Sequence, residues 1–339
     1  MICAVTTMQH PAVTLTLKEL KVDRLIKVES VLGFFALNFF VIKSILLRDG
    51  LHFNFHYPNY RYITSVLLLQ AAGRQYSVSL WGSDYLKVTG WRRIILGIIL
   101  RGASRVSLAS SALSYRLIYD HGLEKERVFT IPFLIPNLSS LYNRAKESSL
   151  TCEGRDRVFK ILCGTNGSEN QQFDLIFSAL KLIEDVASDS VELHFHFSYG
   201  VADSSKVIID RIISETRYRV VVNSHYLTGE ELIAYRLGMD VLIQVQKTDQ
   251  LSAAMLEHLV QGKPVITGEW LEYSALDENK ISVFRIPSDS SGCFLAEAIL
   301  YILKHKLRFV EGNGERVNSY FGDEVSLERW REFFDLKGL

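Results

Sequence analysis

The segment DVLIQVQKTDQLSAAMLEHLVQGKPVITGEWLEY, residues 240–273, reads as a strand, a short loop, a helix, a glycine turn and a second strand. DVLIQVQ (240–246) and KPVITG (263–268) are short runs rich in β-branched residues. LSAAMLEHLVQG (251–262) has the length and composition of a helix, and Gly262 closes it. A strand that reaches its successor through a helix pairs with it in parallel, so a chain made of such units folds into parallel sheets covered by helices.

The same rhythm extends outward. Further strands are read at FKILCGT (159–165), VELHFHFS (191–198), YRVVVNS (218–224) and ISVFRI (281–286), with helices at 172–186, 204–217, 229–238 and 292–305. In the first half LHFNFHY (51–57), YSVSLWG (76–82), RVSLAS (105–110) and RVFTIPF (127–133) read as strands. Helices are read between them at 64–73, 91–103 and 111–122. Two such runs predict an α/β protein of two Rossmann-like, doubly wound parallel-sheet domains, residues 1–145 and 155–320. Their joint is expected near PNLSSLYNRAKESSLTCEGRDR (136–157), which is polar and lacks periodicity. Ligands of open α/β sheets bind at the carboxyl ends of the strands, so two such domains are expected to face each other across a cleft.

With 339 residues, 48% of them hydrophobic, and only 21 Gly, 6 Pro and 4 Cys, the chain is neither disordered, collagen-like nor disulfide-stapled. Its 38 basic and 38 acidic side chains balance unevenly: residues 1–150 hold 18 Lys and Arg against 9 Asp and Glu, and the remainder 20 against 29. A basic first half suits an anionic partner such as a membrane surface or a phosphorylated lipid, although an uneven scatter of solvated charges gives the same count. Cys3, Cys152, Cys163 and Cys293 lie far apart without a CxxC pair, as reduced thiols of a cytoplasmic protein do. MICAVTTMQHPAVTLTL (1–17) has no basic stretch ahead of an apolar run, so no secretory signal is expected. The apolar stretch Val31–Leu47 is interrupted by Asn38 and Lys43 and falls short of a spanning helix.

Asp249 and Glu257 are eight residues apart, which sets one carboxylate at the helix entrance and the other just over two turns inside. The backbone N–H groups of Ser252 and Ala253 at that entrance, with the helix dipole, favour an anion. A phosphate there, with carboxylates holding hydroxyls on either side, suits a nucleotide sugar. The same residues also fit a plain helix capped by Asp249 with Glu257 on its wet face. His56 at a strand end and Asp84 in a Gly-Ser turn are either cleft residues or local structure, Asp84 through an Asx hydrogen bond. His194 and His196 share one face of a strand with no third ligand at a metal spacing, and read as structural. GxSxG, the P-loop and a GxGxxG after a strand are all missing from the sequence.

The 240–273 segment resembles the donor-site signature of GT-B glycosyltransferases, and of glycosyltransferase family 4 in particular. There, two acidic residues separated by seven others flank a helix start and lead into a small-residue turn and Pro-Val; here they are Asp249, Glu257 and GKPVITG. NFHYP (54–58), SLWGSD (79–84), residues 105–133 and 226–244, and FGDEVSLERWREFF (321–334) resemble other family segments in the family's order. The resemblance implies GT-B architecture, with an acceptor-binding domain first, a nucleotide-sugar domain second and a terminal helix at 321–339 that packs back toward the first. It implies a retaining hexosyltransferase, without metal or cofactor, that moves sugar from a nucleotide-sugar donor to a lipid-linked glycan in surface polysaccharide assembly such as O-antigen or capsule. The expected place is the cytoplasm, at the inner face of the cell membrane, with no nucleic-acid partner. By this resemblance Glu257 holds the ribose hydroxyls, Asp249 the hydroxyls of the transferred sugar, and the Ser252 and Ala253 amides the distal phosphate, while His56 and Asp84 belong to the acceptor side. Glu257→Ala is then expected to abolish transfer with the fold intact.

Three features depart from that family. Its first acidic position is usually Glu, one methylene longer than Asp249. Many members carry Arg and Lys after the first strand of the donor domain, where this chain has CGTNGSENQQ (163–172). Donor phosphates would rest on loop amides around Gly164, Thr165, Asn166 and Gly167 or on a cation supplied elsewhere; GTNGS otherwise reads as a polar turn. About 50 residues precede NFHYP, fewer than a full first half-sheet needs, so either the acceptor domain is trimmed at the front or the recorded start lies inside the gene product. WRRIILGIILRGASR (91–105) and LIKVESVLGFFALNFFVIKSILLR (25–48) mix apolar residues with cations, and fit either a peripheral membrane interface or core-facing helices with solvated charges. Two other functions fit the same architecture: a non-catalytic GT-B partner that binds glycan or steadies a true transferase, and a GT-B sugar-nucleotide epimerase.

Overall fold

The computed structural model describes residues 1–7, 11–135, 137–149, 158–197, 201–288 and 291–335. The chain divides into two units, one of Met1–Pro136, Tyr273–Ala275 and Asp323–Leu339 and one of Asn137–Glu272 and Leu276–Gly322.

In the first unit strands and helices alternate as β1 (Ile2–Thr6), α1 (Pro11–Glu19), β2 (Arg24–Lys27), α2 (Val31–Leu47), β3 (His52–His56), α3 (Ile63–Ala71), β4 (Tyr76–Ser79), α4 (Ser83–Leu86), α5 (Trp91–Gly102), β5 (Arg105–Leu108), α6 (Ser111–His121) and β6 (Val128–Thr130). The sheet is parallel throughout, in the order β2-β1-β3-β4-β5-β6. The chain steps one way from β1 to β2, then returns past β1 to β3. Right-handed crossovers therefore place α1 on one face and α2, α3, α5 and α6 on the other. On that second face Leu37, Val41, Val66, Leu69, Ile99 and Leu100 close over Phe53, Phe55, Tyr76 and Val78.

The front of the chain departs from expectation. Residues 1–50 supply two strands and two helices, and β1 lies inside the sheet between β2 and β3. ICAVT and RLIK are too short to show a period of their own, so only pairing with β3 reveals them as strands. Val31–Leu47 is one helix, N-capped by Ser30, whose Oγ accepts the Gly33 N–H at 3.1 Å.

The second unit runs α7 (Leu138–Ser149), β7 (Phe159–Cys163), α8 (Phe173–Ala187), β8 (Val191–His196), α9 (Asp203–Glu215), β9 (Arg219–Asn223), α10 (Gly229–Gly238), β10 (Val241–Gln244), α11 (Ala253–Leu259), β11 (Val265–Gly268), α12 (Ser274–Glu278), β12 (Phe284–Ile286), α13 (Cys293–Lys304) and α14 (Asn313–Phe321), with α12 crossing the boundary between units. Its parallel sheet is ordered β12-β11-β10-β7-β8-β9. Ile161, Cys163, Leu193, Phe195, Val241 and Ile243 face α8, α9 and α13. The opposite face carries α7, α10, α11 and α14.

Residues 138–149 form a helix where an irregular joint is expected, because Leu138 and Leu141 make a stripe too sparse to register as periodicity and gain their burial only against those neighbours. Pro136 and residues 150–157, Cys152 among them, lie outside the described residues. A final helix, α15 (Asp323–Phe333), belongs to the first unit: Trp330 and Phe333 pack with Leu20 and Ile131, and the Trp330 indole N–H donates to the Pro132 carbonyl at 3.0 Å.

Candidate functional site

In both sheets the strand order reverses once, between β1 and β3 and between β7 and β10. Loops leaving two neighbouring strands in opposite directions open a crevice at their carboxyl ends, which is where a doubly wound sheet takes its ligand. Each unit therefore offers one such edge.

At the second sheet's edge the loops after β7 and β10 are laced together. The Asn170 carbonyl accepts the Lys247 N–H at 2.8 Å, Asn170 Nδ2 donates to the Thr248 carbonyl at 2.8 Å, and Gln172 Nε2 donates to the Val245 carbonyl at 2.6 Å. Three glutamines, Gln171, Gln244 and Gln250, are nearly or fully buried here, yet neither amide atom of any of them has a hydrogen-bond partner among the described residues. Burying such a group without a partner costs about 1–3 kcal/mol. Strand alternation puts Gln244 on the α10 and α11 face, since its neighbour Ile243 lies in the core of the other face. The Gln171 amide abuts Gly164: a Cβ at 164 would lie 2.7 Å from Gln171 Oε1, and Gly164 holds φ +78°, so only glycine fits there.

Around that frame stand the residues singled out from the sequence. The Gly164 N–H donates to the Ile243 carbonyl at 3.3 Å, and a Cβ at Gly167 would meet the Val201 backbone at 2.7 Å. Thr165 and Asn166 are buried, and Asn166 Oδ1 accepts from the Ser168 N–H at 3.0 Å and hydroxyl at 2.6 Å, a local polar turn. Asp249 is half-buried in the loop before α11. Ser252, not Asp249, caps α11 by accepting the Met255 N–H at 3.3 Å, and Ala253 begins it. The helix is seven residues long rather than the twelve expected, because beyond Leu259 the chain tightens around Gly262 at φ +72°.

Glu257 is not on a wet face. It is 5% exposed, and its Oε2 accepts from Nε of Arg236 at 2.7 Å, itself 4% exposed. Removing one partner of such a pair strands the other charge, so the expectation that Glu257→Ala leaves the fold intact is revised. Lys263 Nζ donates to the Arg236 and Leu237 carbonyls beside this pair, and burial together with Lys263 and Arg236 holds the His258 imidazole neutral, well below its usual range. Glu257 remains within electrostatic reach of Tyr226 on the β9–α10 loop, whose phenol is raised by burial and then by the Glu257 charge.

The first sheet's edge is aromatic. A cleft of about 220 Å³ is lined by Thr7, Tyr57, Asn59, Tyr60, Asp84 and Arg92. Tyr57, at φ 51°, holds a left-handed backbone unusual for a bulky residue and stacks on Trp81 at 5.7 Å. His56 lies beneath, fully buried, and accepts from Trp81 Nε1 at 3.2 Å; burial drives its pKa down to about 3, so the ring is neutral. Asp84 accepts the Trp81 N–H on both carboxylate oxygens, at 2.9 and 3.1 Å, reaching three residues back rather than two forward as the expected Asx bond would, and also lines the cleft. Burial outweighs the donated hydrogen bonds and lifts its pKa to about 7.

His194 and His196 are engaged within the second unit. His194 Nε2 meets Glu192 at 2.6 Å, and His196 Nε2 meets the His225 carbonyl at 3.1 Å. Burial alone would raise the Glu192 carboxyl, but His194, Lys160 and Arg219 more than offset it. Among the described residues no group of three His, Cys, Asp or Glu side chains is placed to hold a metal. Sequence reasoning passed over Gln171, Gln244, Gln250, Arg236 and Trp81. One signal was visible: in VLIQVQ (241–246), a glutamine ends an otherwise apolar buried strand.

No family model matches the sequence, and no curated protein matches it. Solved structures do. A glycosyltransferase from Rickettsia africae superposes with a TM-score of 0.68 at 13% identity, covering 100% of this chain and 99% of that one. HepE from Anabaena, solved in complex with UDP, gives 0.69 at 14% identity over 100% of both chains. Sucrose-phosphate synthase from Thermosynechococcus elongatus gives 0.65 at 17% identity, covering 92% of this chain and 82% of its own. Identities this low speak to fold alone, and the fold is GT-B.

Proposed function

We propose that the protein is a glycosyltransferase that takes a nucleotide sugar at the carboxyl edge of the second sheet and a glycan acceptor at that of the first. The observation that carries this reading is the cluster of buried, unpartnered amides of Gln171, Gln244 and Gln250 at the strand-order reversal. A ligand rich in hydroxyls and carbonyls satisfies such groups, and the similar HepE fold has been solved with UDP and with UDP-glucose. In this reading Asp249 meets the transferred sugar, Glu257 the ribose through whatever capacity Arg236 leaves it, and the amides of 164–167, Ser252 and Ala253 the diphosphate. The 163–172 loop holds no Lys or Arg, and Lys247, whose backbone N–H is tied to the Asn170 carbonyl, is a cation beside it. Asp84 borders the acceptor, and His56 supports Trp81 from below. The finer reading is a GT4-type, retaining, metal-independent transfer onto a lipid-linked acceptor in surface polysaccharide assembly, at the inner face of the membrane.

Thermal unfolding with a panel of nucleotide sugars and diphosphates, UDP-glucose included, tests this. A donor at one hundred times its Kd stabilises by about 2.7 kcal/mol, so one panel member is expected to raise the melting temperature clearly. Absence of any rise, with no heat of binding by calorimetry, overturns the reading. It leaves the non-catalytic GT-B partner, which the cation-free 163–172 loop favours.

A further inference from the structure

We propose that the outer face of α2, continued by α3 and α5, docks on an anionic lipid bilayer and lies in its interface. α2 is apolar on both sides. Phe34, Leu37 and Val41 enter the core, while Leu32, Phe35, Phe39, Ile42 and Leu46 stand exposed at spacings of three and four. That spacing is one straight seam along a helix of about 25 Å. Leu32 is 79% and Phe39 71% exposed, values ordinary for lysine and costly for a row of hydrophobes in water. With Val31 and Leu47 the seam presents on the order of 700 Å² of apolar surface, beyond the roughly 300–600 Å² of the largest patch on a typical monomer.

The neighbouring helices extend it. α3 packs against α2 and α5 against α3, exposing Leu67 from one and Trp91 and Ile94 from the other. The charges decide the occupant. Lys43, Arg92, Arg93 and Arg101 are the only charged side chains of these three helices, and none of the three holds an Asp or Glu. Arg93 is taken by Asp120 at 2.6 Å, and Arg92 stands over the Tyr60 ring. Glu29 and Asp49 lie beyond the two ends of α2, and Asp49 is engaged by Ser44 and Arg74. A second copy of the chain pairing through this face would set cations against cations with no acid to meet them. An anionic headgroup layer neutralises them, with the aromatic rings at the boundary and the aliphatic side chains beneath. Among the described residues no helix is long and apolar enough to cross a membrane, so the contact is interfacial. Tyr60 and Arg92 belong both to this face and to the first-unit cleft, so docking brings headgroups beside the cleft; that last step alone rests on the glycosyl-transfer reading.

Flotation of the full chain with vesicles of phosphatidylcholine alone, and of phosphatidylcholine mixed with phosphatidylglycerol, tests docking without any glycan acceptor or donor. The wild type is expected to float with the anionic vesicles about tenfold more than with the neutral ones, less so at high salt. Phe35→Ser with Phe39→Ser is expected to keep the melting temperature and lose flotation about tenfold. Lys43→Gln with Arg101→Gln is expected to lose only the preference for anionic vesicles, which keeps the test decisive should the first variant fold poorly. Wild-type protein that stays unbound with both vesicles overturns the proposal. So does a dimer in sedimentation velocity that the phenylalanine variant dissolves while vesicles capture nothing, which assigns the face to a second copy instead.

Discussion

Both sheets are six-stranded and parallel with a single reversal of strand order, after one crossover in the first and two in the second, and they differ in what stands at the point where that order reverses. At the first, Trp81 stacks against Tyr57 at 5.7 Å and Trp330 at 6.3 Å, over a neutral His56. At the second, the walls are amides: Gln171, Gln244 and Gln250, without partners among the described residues, and Asn170 lacing one loop to the other. The backbone opens one crevice at each reversal, and the residues at the last strand positions decide what chemistry each accepts. Rings offer flat apolar faces; buried amides demand hydrogen bonds.

Three substitutions break or sharpen that contrast. The largest effect is expected from Glu257→Ala, which strands the buried Arg236 guanidinium and costs about 3–5 kcal/mol in denaturant unfolding. A loss of under about 1 kcal/mol would show that the pair is not buried structure and return Glu257 wholly to ligand binding. Gln244→Leu is expected to do the reverse. By removing an unsatisfied buried amide it raises the stability of the unliganded protein by about 1 kcal/mol, while it abolishes the donor-induced rise in melting temperature. A variant less stable than wild type would mean that the amide already has its partner.

The third test concerns Asp84. Its folded pKa, about 7, lies above the ordinary carboxylate value, so the protonated form is favoured by folding. The resulting stabilisation is fully present below about pH 4 and is lost as pH rises toward 7. The stability of the wild type relative to Asp84→Asn is therefore expected to fall across that window. A difference independent of pH would place the carboxylate in a wetter site than the aromatic edge implies.

Much of the fold was legible because strands of a buried parallel sheet are apolar runs and helices between them end on glycines such as Gly102 and Gly122. What escaped was short or sparse: ICAVT and RLIK, which become strands only by pairing, and LSSLYNRAKESS, whose two buried leucines carry too little periodicity to be seen alone. The site was half legible. The spacing of Asp249 and Glu257 located the right loop and helix, but spacing along a helix says nothing of what lies across from it.

By itself, then, the order of residues determined the alternation of strand and helix, the parallel sheets that follow from it and the apolar run at Val31–Leu47, all of which depend on neighbours close in the chain. Only the tertiary structure decided that Glu257 meets Arg236, 21 residues away, that Gln171 and Gln244 come to one edge unpartnered, and that half of α2 faces outward. Burial and pairing are properties of what packs against a side chain, and the packing partners are set by crossovers that bring distant segments together.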